Sequence, residues 1–278
     1  MTKGKLYIVA TPIGNMGDIT VRALDVLKAA EMIAAEDTRR TVKLLNHFGI
    51  KGKMVSFHEH SSEARRKEIV AHMMEGRAVA LVSDAGTPVI SDPGLMLVRD
   101  CIAADIPIES IPGANAAVVA VTLSGIDCSN FIFAGFLPQK GAARKKKLDA
   151  LAAAHMPVVF YESPGRVTAL LEGVAEAFGP GTPVCVSREL TKMYEETLRG
   201  SAEAICAQLA EREAVKGEFV VVAGVPEQAG DEATDEMIVE QLEKCIAAGH
   251  TKKEAVTLVT ADLSCSKNRV YKIMIHMD

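Results

Sequence analysis

A chain of 278 residues that is 49% hydrophobic and 24% charged has the balance of an ordinary globular protein, long enough for two domains and without the composition of disorder. A formal charge of −5 excludes nucleic-acid binding by global electrostatics and leaves room for a local basic patch. No apolar run approaches the ~20 residues of a membrane span, no secretory signal precedes the first strand-like run, and the six scattered cysteines offer neither a metal knuckle nor a redox pair, which points to buried thiols in a cytoplasmic protein.

Residues 5–10 read as a first buried strand, followed by the turn Thr11-Pro-Ile-Gly-Asn-Met-Gly-Asp18 and a helix opening at Ile19-Thr20 with Val21, Leu24 and Leu27 on one face. This start is close to a dinucleotide-binding strand–loop–helix, but Pro12 occupies the turn and Gly14-x-x-Gly17 lacks the full glycine fingerprint; no phosphate-binding P-loop occurs anywhere. Strands are predicted at 32–35, 54–57, 78–82 and 108–111, separated by helical patterns at 38–48, 62–74 and 95–104. That alternation predicts a mostly parallel sheet ending near Pro112.

The most informative stretch follows the strand at 78–82: Ser83-Asp-Ala-Gly-Thr-Pro-Val-Ile-Ser-Asp-Pro-Gly94. Proline and glycine punctuate it twice, so it forms a stiff loop at the carboxyl end of a buried strand, where open α/β sheets bind small ligands. Pro112-Gly-Ala-Asn115 then opens a helix of small residues running to Leu123, against which a flat ring can lie. A second series has strands at 131–135, 158–161, 183–187, 196–200 and 219–224 with helices at 142–153, 166–178 and 201–212; its less regular alternation predicts some antiparallel pairing. After a polar linker at 226–230, helices at 237–247, 252–260 and 267–274 have the breaks of a helix-turn-helix-type module.

Two local clusters carry charge. Lys140, Arg144, Lys145, Lys146 and Lys147 form the strongest basic run, a solvated helix face or a contact for an RNA backbone, and Glu36-Asp-Thr-Arg39 ends a strand on the ligand side, with a helix cap as its structural alternative. His58-Glu-His60 lacks the spacing and the third ligand of a metal site, and no metal is expected. With aromatic residues at 4% and no tryptophan, extensive base stacking is not expected either.

Eight motifs taken in order, Ala10-Thr-Pro-Ile-Gly-Asn, Glu36-Asp-Thr-Arg, the loop 83–94, Ile111-Pro-Gly-Ala-Asn-Ala, Phe133-Ala-Gly-Phe-Leu-Pro, Tyr161-Glu-Ser-Pro-Gly-Arg, Ser187-Arg-Glu-Leu-Thr-Lys and Lys216-Gly-Glu-Phe, resemble the tetrapyrrole methylase fold family and, within it, the branch acting on ribosomal RNA. The resemblance spans about residues 6–225, with the helical tail matching that branch's extension. It implies two α/β domains, 1–112 and 113–227, an interdomain cleft for S-adenosylmethionine, and a helical extension at 231–278. The cofactor-binding residues it implies are Pro12, Asp84, Ala85, Gly86, Ile90, Pro112, Gly113, Ala114, Asn115, Tyr161, Glu162, Ser187 and Gly224. Asp-Ala-Gly stands where the tetrapyrrole enzymes carry Gly-Asp-Pro, which disfavours a porphyrin-like substrate.

The implied activity is 2′-O-methylation of a cytidine ribose in 16S ribosomal RNA, within the 30S subunit, by a cytoplasmic homodimer. A tetrapyrrole methyltransferase and a non-catalytic ribosome-associated protein are the alternatives. A ribose hydroxyl is a weak nucleophile and needs a base or strong acceptor within about 3 Å; Asp37, His58, Glu162 and Glu189 are the candidates near the expected cleft. Arg39 joins the basic run as an RNA-binding candidate.

Overall fold

A computed structural model describes residues 2–226, 233–263, 265 and 267–277. Five short apolar runs become the parallel strands β1 (Leu6–Val9), β2 (Met32–Ala35), β3 (Met54–Ser56), β4 (Val79–Val82) and β5 (Ile108–Ile111), in the order β3-β2-β4-β1-β5. Every residue of β2 and β4 is buried, because helices cover both faces; this is why these strands read as unbroken apolar runs instead of alternating ones. Leu6, Met32, Ala34, Val79 and Leu81 pack with α3 (Glu63–Met74) and α4 (Leu95–Ala103) through Ile69, Met73, Leu97 and Cys101. The intervening residues Val9, Ile33, Ala35, Ala80 and Val82 face α1 (Val21–Ala29) and α2 (Thr38–His47) through Ala23, Leu27 and Leu45.

The second sheet contains β6 (Ile132–Phe136), β7 (Val158–Glu162), β8 (Pro183–Arg188), β9 (Glu196–Ser201) and β10 (Phe219–Ala223), ordered β6-β7-β10-β8-β9. Only β6 and β7 run parallel; β10 pairs antiparallel with β7 and β8, and β8 with β9. Its alternate residues again divide between two layers. Val158, Phe160, Val184, Val186 and Val221 face α6 (Ala142–Ala152), α7 (Val167–Phe178) and α8 (Ala202–Ala210). Val159, Cys185, Val220 and Val222 pack against Ala117 and Ala120 of α5 (Ala116–Ser124). Ile13, from the loop after β1, and Leu190, from the loop after β8, belong to this same cluster, so the first loop reaches across to the second sheet.

Predicted and observed elements agree to within a residue or two, with two physical differences. The strand expected at 54–57 stops at Ser56, and Phe57 turns its ring into the first core while its N–H donates to the Ala35 carbonyl at 2.7 Å. The strand expected at 131–135 is shifted by one residue and carries a register change between Phe133 and Gly135.

The chain divides after Val225 into two units. The second contains α9 (Asp235–Ala247), α10 (Lys252–Asp262) and α11 (Lys267–His276), closed around Ile238, Leu242, Val256, Val259, Val270 and Met274. A Thr251–Glu254 capping box fixes the start of α10. The expected linker lies outside the described residues apart from Pro226, as do residues 264 and 266 of the break before α11.

Candidate functional site

Strands β1 and β4 are neighbours whose following helices lead away in opposite directions, which opens a crevice at their carboxyl ends. The two loops leaving that crevice are tied together. Thr11 N–H donates to the Gly86 carbonyl at 2.8 Å, Gly86 N–H returns the bond to Thr11 at 3.0 Å, and the Thr11 hydroxyl reaches the Ser83 carbonyl at 3.3 Å. Gly86 sits at φ +78°, and a Cβ there would lie 3.3 Å from the Ile13 side chain. Gly113 answers a different need: a Cβ would come within 2.9 Å of the Ala10 Cβ.

A second tie fixes the same loop to the end of β2. The Asp84 carboxylate accepts from Asp37 N–H at 3.0 Å, Asp84 N–H donates to the Glu36 carboxylate at 3.1 Å, and Arg40 stands 3.4 Å from the other Asp84 oxygen. Asp84 therefore holds its loop to a neighbouring strand end; the N–H it binds belongs to that strand end and not to its own loop. Asp37 itself accepts from Arg39 N–H at 2.8 Å as the cap of α2.

Between these loops and the second sheet lies a cavity of about 360 Å³, within the usual size range of small-ligand sites. Asp84 to Thr87 present backbone along one wall, Ile13, Ile90, Leu190 and Phe136 supply apolar surface, and Glu36, Asp84 and Asp92 bring carboxylates. Asn115 and Ala116 line it at the start of α5. The N–H groups of Ala117 and Val118 in the first turn of that helix are already engaged, however. The Asn115 side chain accepts from Ala117 and Val118, and the Tyr161 hydroxyl accepts from Ala117 at 3.2 Å. Tyr161 is in turn held edge-on by Phe133 and Phe136, with ring centroids at 5.1 and 5.7 Å.

The acids around the cavity differ sharply. Burial, followed by the charge of Glu36, pushes the Asp92 carboxyl up to about 6; the Ser83 hydroxyl acts against this and the charge of Asp84 adds to it. Glu162 is buried at the end of β7 and surrounded by donors: Arg166 and Ser163 N–H at 2.7 and 2.8 Å, and Arg144 at 3.3 Å. The loop carrying Asp92 is conformationally costly, with Val89 at φ 75° and Ser91 at φ 62°. Positive φ is an outlier for a β-branched residue.

Residues 5–206 match the family described as Tetrapyrrole (Corrin/Porphyrin) Methylases. The chain is 44% identical over 278 residues to "Ribosomal RNA small subunit methyltransferase I" of Halalkalibacterium halodurans, covering 98% of this chain and 94% of that protein. The protein of the same name from Escherichia coli O157:H7 is 40% identical over 274 residues, covering 98% and 94%. This chain belongs to that methyltransferase family. Among solved structures, uroporphyrin-III C-methyltransferase of Thermus thermophilus complexed with S-adenosylhomocysteine aligns with a TM-score of 0.57 at 18% identity, covering 80% of this chain and 97% of that one. A cobalt precorrin-4 methyltransferase aligns at 0.59 with 19% identity, covering 79% and 94%. These last two share the fold.

In this member of the family the cavity brings together Asp84, Ala85, Gly86, Ile90, Asn115, Tyr161 and Glu162 from the expected cofactor-binding set. Pro12 lines an adjoining cavity, and Ala114 accepts a hydrogen bond from the Thr87 hydroxyl at 3.2 Å behind the cradle. Pro112 and Gly113 lie in the exposed turn entering α5 and do not line the cavity, although Gly113 passes close to Ala10. Ser187 and Gly224 do not line the cavity: both are buried, and Gly224 packs on Pro183, whose carbonyl accepts its N–H at 2.8 Å.

The four base candidates separate just as clearly. Asp37 is engaged by Arg39, whose hydrogen bond holds its carboxyl down at about 2. Glu189 is held by Lys192 at 2.9 Å, which lowers its carboxyl, and does not reach the cavity. Glu162 reaches it, but two guanidiniums occupy its oxygens. His58 lines a neighbouring cavity. His58 and His60 have ring centroids 6.3 Å apart, and among the described residues no three ligating side chains converge.

The basic run also divides. Arg144 is buried on Glu162, a correction to its place among surface cations, and Lys145 pairs with Glu176. Lys140, Lys146 and Lys147 are exposed, as is Arg39. Sequence reasoning missed Arg40, Asp92 and Phe136, and also Gly217, Glu218 and Phe219 at the start of β10, as cavity residues. Asp92 lay in plain view in the Ser-Asp-Pro-Gly motif.

Proposed function

We propose that this chain is a methyltransferase that moves the methyl group of S-adenosylmethionine to the 2′-hydroxyl of a cytidine ribose in 16S ribosomal RNA. The observation that carries this is the full-length likeness to relatives named for small-subunit ribosomal RNA methylation. The cavity fits the cofactor on its own chemistry. Apolar surface from Ile13, Ile90 and Leu190 suits a purine ring, Ala85 and Thr87 bring backbone to the cavity wall, and the carboxylates of Glu36 and Asp92 suit a sulfonium charge. When bound, the cofactor supplies an activated methyl on a good leaving group, so orientation and exclusion of water account for much of the rate.

The chain's own residues then have defined tasks. Asp84, Glu36 and the Thr11–Gly86 bridge keep the cradle in one shape. Tyr161 and Asn115 fix the start of α5, and Arg144 and Arg166 hold the Glu162 end of β7. Exposed Lys140, Lys146 and Lys147, together with Arg39, are the surface cations suited to phosphate contacts.

The assembled 30S subunit as substrate, a homodimeric state and a cytoplasmic location belong to the same reading. Exposed Val118, Met193 and Tyr194 leave apolar surface for a second copy, and six free thiols fit a reducing compartment. Incubating the purified protein with methyl-labelled cofactor and either 30S subunits, stripped 16S RNA or a porphyrinogen tests the substrate class. Label in RNA supports the reading; label only in the tetrapyrrole overturns it.

A further inference from the structure

A methyl donor and its acceptor must meet, so the reacting hydroxyl has to enter where the cofactor cavity opens into a second space. Two neighbouring cavities do so. One, of about 230 Å³, lies toward Arg40, Lys43 and Lys192 and shares Asp84 and Glu218 with the cofactor cavity. Both of its carboxylates are engaged: Asp84 by Asp37 N–H and Arg40, Glu218 by Lys192 at 2.9 Å. The other, of about 440 Å³, is lined by Phe57, His58, Ser61 and Arg66 and shares with the cofactor cavity only Glu36, Ser91 and Asp92.

We propose that Asp92 is the catalytic base that takes the proton of the ribose 2′-hydroxyl, and that the 440 Å³ cavity admits the target nucleoside. This rests on the RNA ribose reading above. Of the two carboxylates on the shared wall, Glu36 accepts from Asp84 N–H at 3.1 Å and serves the cradle. Asp92 borders both cavities and has no ion pair among the described residues. The groups facing it are Glu36 from the end of β2, Asp84 from the cradle, and Tyr161 from β7. On the nucleoside side stand His58, Glu59 and Arg66, the last already paired with Asp100 at 2.8 Å. Two acids and no cation thus act on Asp92 in raising its proton affinity, which matches a base to work near neutral pH. Strained backbone at Val89 and Ser91 immediately precedes it, and such strain persists where surrounding structure imposes it for a purpose.

In the step itself the 2′-oxygen forms its bond to the methyl carbon as the carbon–sulfur bond breaks, and that electron pair remains on sulfur. The hydroxyl proton passes to the Asp92 carboxylate and from there to solvent after product leaves. A nearby sulfonium favours the charged carboxylate, so the working proton affinity falls when the cofactor binds.

The test compares wild-type protein with Asp92→Asn and Asp92→Glu. Single-turnover methyl transfer to 30S subunits is measured from pH 5 to 8, S-adenosylhomocysteine affinity by calorimetry, and the Asp92 carboxyl titration by its carbon resonance. Expected are a 10²- to 10⁴-fold loss of transfer in Asp92→Asn, affinity for S-adenosylhomocysteine within about threefold of wild type, partial recovery in Asp92→Glu, and a wild-type rate that rises with unit slope and levels at the pH where the carboxyl titrates. Transfer within threefold of wild type in Asp92→Asn, or a carboxyl that titrates away from the rate profile, overturns the assignment. A wild-type protein that binds S-adenosylhomocysteine yet methylates no RNA overturns the underlying reading instead, and the base falls with it.

Discussion

Asp84 separates two ways in which a carboxylate can serve a cofactor cradle. It accepts from Asp37 N–H at 3.0 Å and stands 3.4 Å from Arg40, so its geometric role is to hold the loop, while its charge also borders the cavity. Asp84→Asn retains an acceptor oxygen for Asp37 N–H and loses only the contact with a largely exposed guanidinium, worth about 0–1 kcal/mol. Asp84→Ala removes the acceptor as well, and the part-buried donor left behind costs about 1–2 kcal/mol. At about 1.4 kcal/mol per decade, the Asn variant should bind cofactor within about fivefold of wild type and the Ala variant about five- to thirty-fold more weakly. Calorimetry with both S-adenosylmethionine and its demethylated product resolves the role, because only the former carries the sulfonium. A structural Asp84 leaves the ratio of the two affinities unchanged in both variants. If Asp84→Asn weakens S-adenosylmethionine tenfold and spares the product, the holding role assigned to the carboxylate is refuted.

Gly86→Ala forces a Cβ into φ +78°, costing about 1–2 kcal/mol, so the melting temperature should fall by about 2–6 °C with weakened cofactor binding, as calorimetry and thermal scans will register. Reversing Lys146 and Lys147 to Glu, leaving Lys145 on Glu176 and Arg144 on Glu162, should flatten the salt dependence of RNA binding by roughly 1.4 in log–log slope if both contact phosphates; filter binding across a salt series measures this, and an unchanged slope returns these lysines to plain solvation. The Asp92 carboxyl is pushed up to about 6, so between the unfolded value and that pH the folded protein keeps a proton the unfolded chain has lost. Stability is therefore full below the unfolded value, falls as pH rises toward about 6, and carries the whole cost of the buried charge above it. Asp92→Asn should therefore be more stable than wild type at pH 7 and gain little at pH 4, a difference that paired melting curves will show.

Much of this architecture was legible in the sequence for a physical reason. The strands at 32–35 and 79–82 are buried on both faces, and continuous apolar runs between glycine- and proline-rich loops have few other readings. The cradle could be placed because its loop follows such a strand. What the sequence could not convey was which polar atoms were already taken. Arg144 sits in a run of lysines yet folds inward to Glu162, and Asn115 and Tyr161 consume helix N–H groups that looked open to a ligand. Glu162 and Glu189 qualified as bases by position until their cations were seen: Arg166 and Lys192 lie only four and three residues on, but that they fold back onto these carboxylates, and that Arg144 joins from α6, shows only in three dimensions. Asp92 was passed over for the opposite reason: its setting comes from Glu36 and Asp84, on two different strand ends, and sequence distance hides that convergence.

The central claim is ribose methylation of small-subunit RNA, and the most direct measurement is alkaline hydrolysis of 16S RNA before and after treatment with the purified protein and S-adenosylmethionine. A 2′-O-methyl group blocks cleavage at its own phosphodiester, so one new alkali-resistant dinucleotide beginning with cytidine is expected, absent when S-adenosylmethionine is omitted. Label that appears on a base, or RNA that remains uniformly cleaved while the protein still binds S-adenosylhomocysteine, would contradict it.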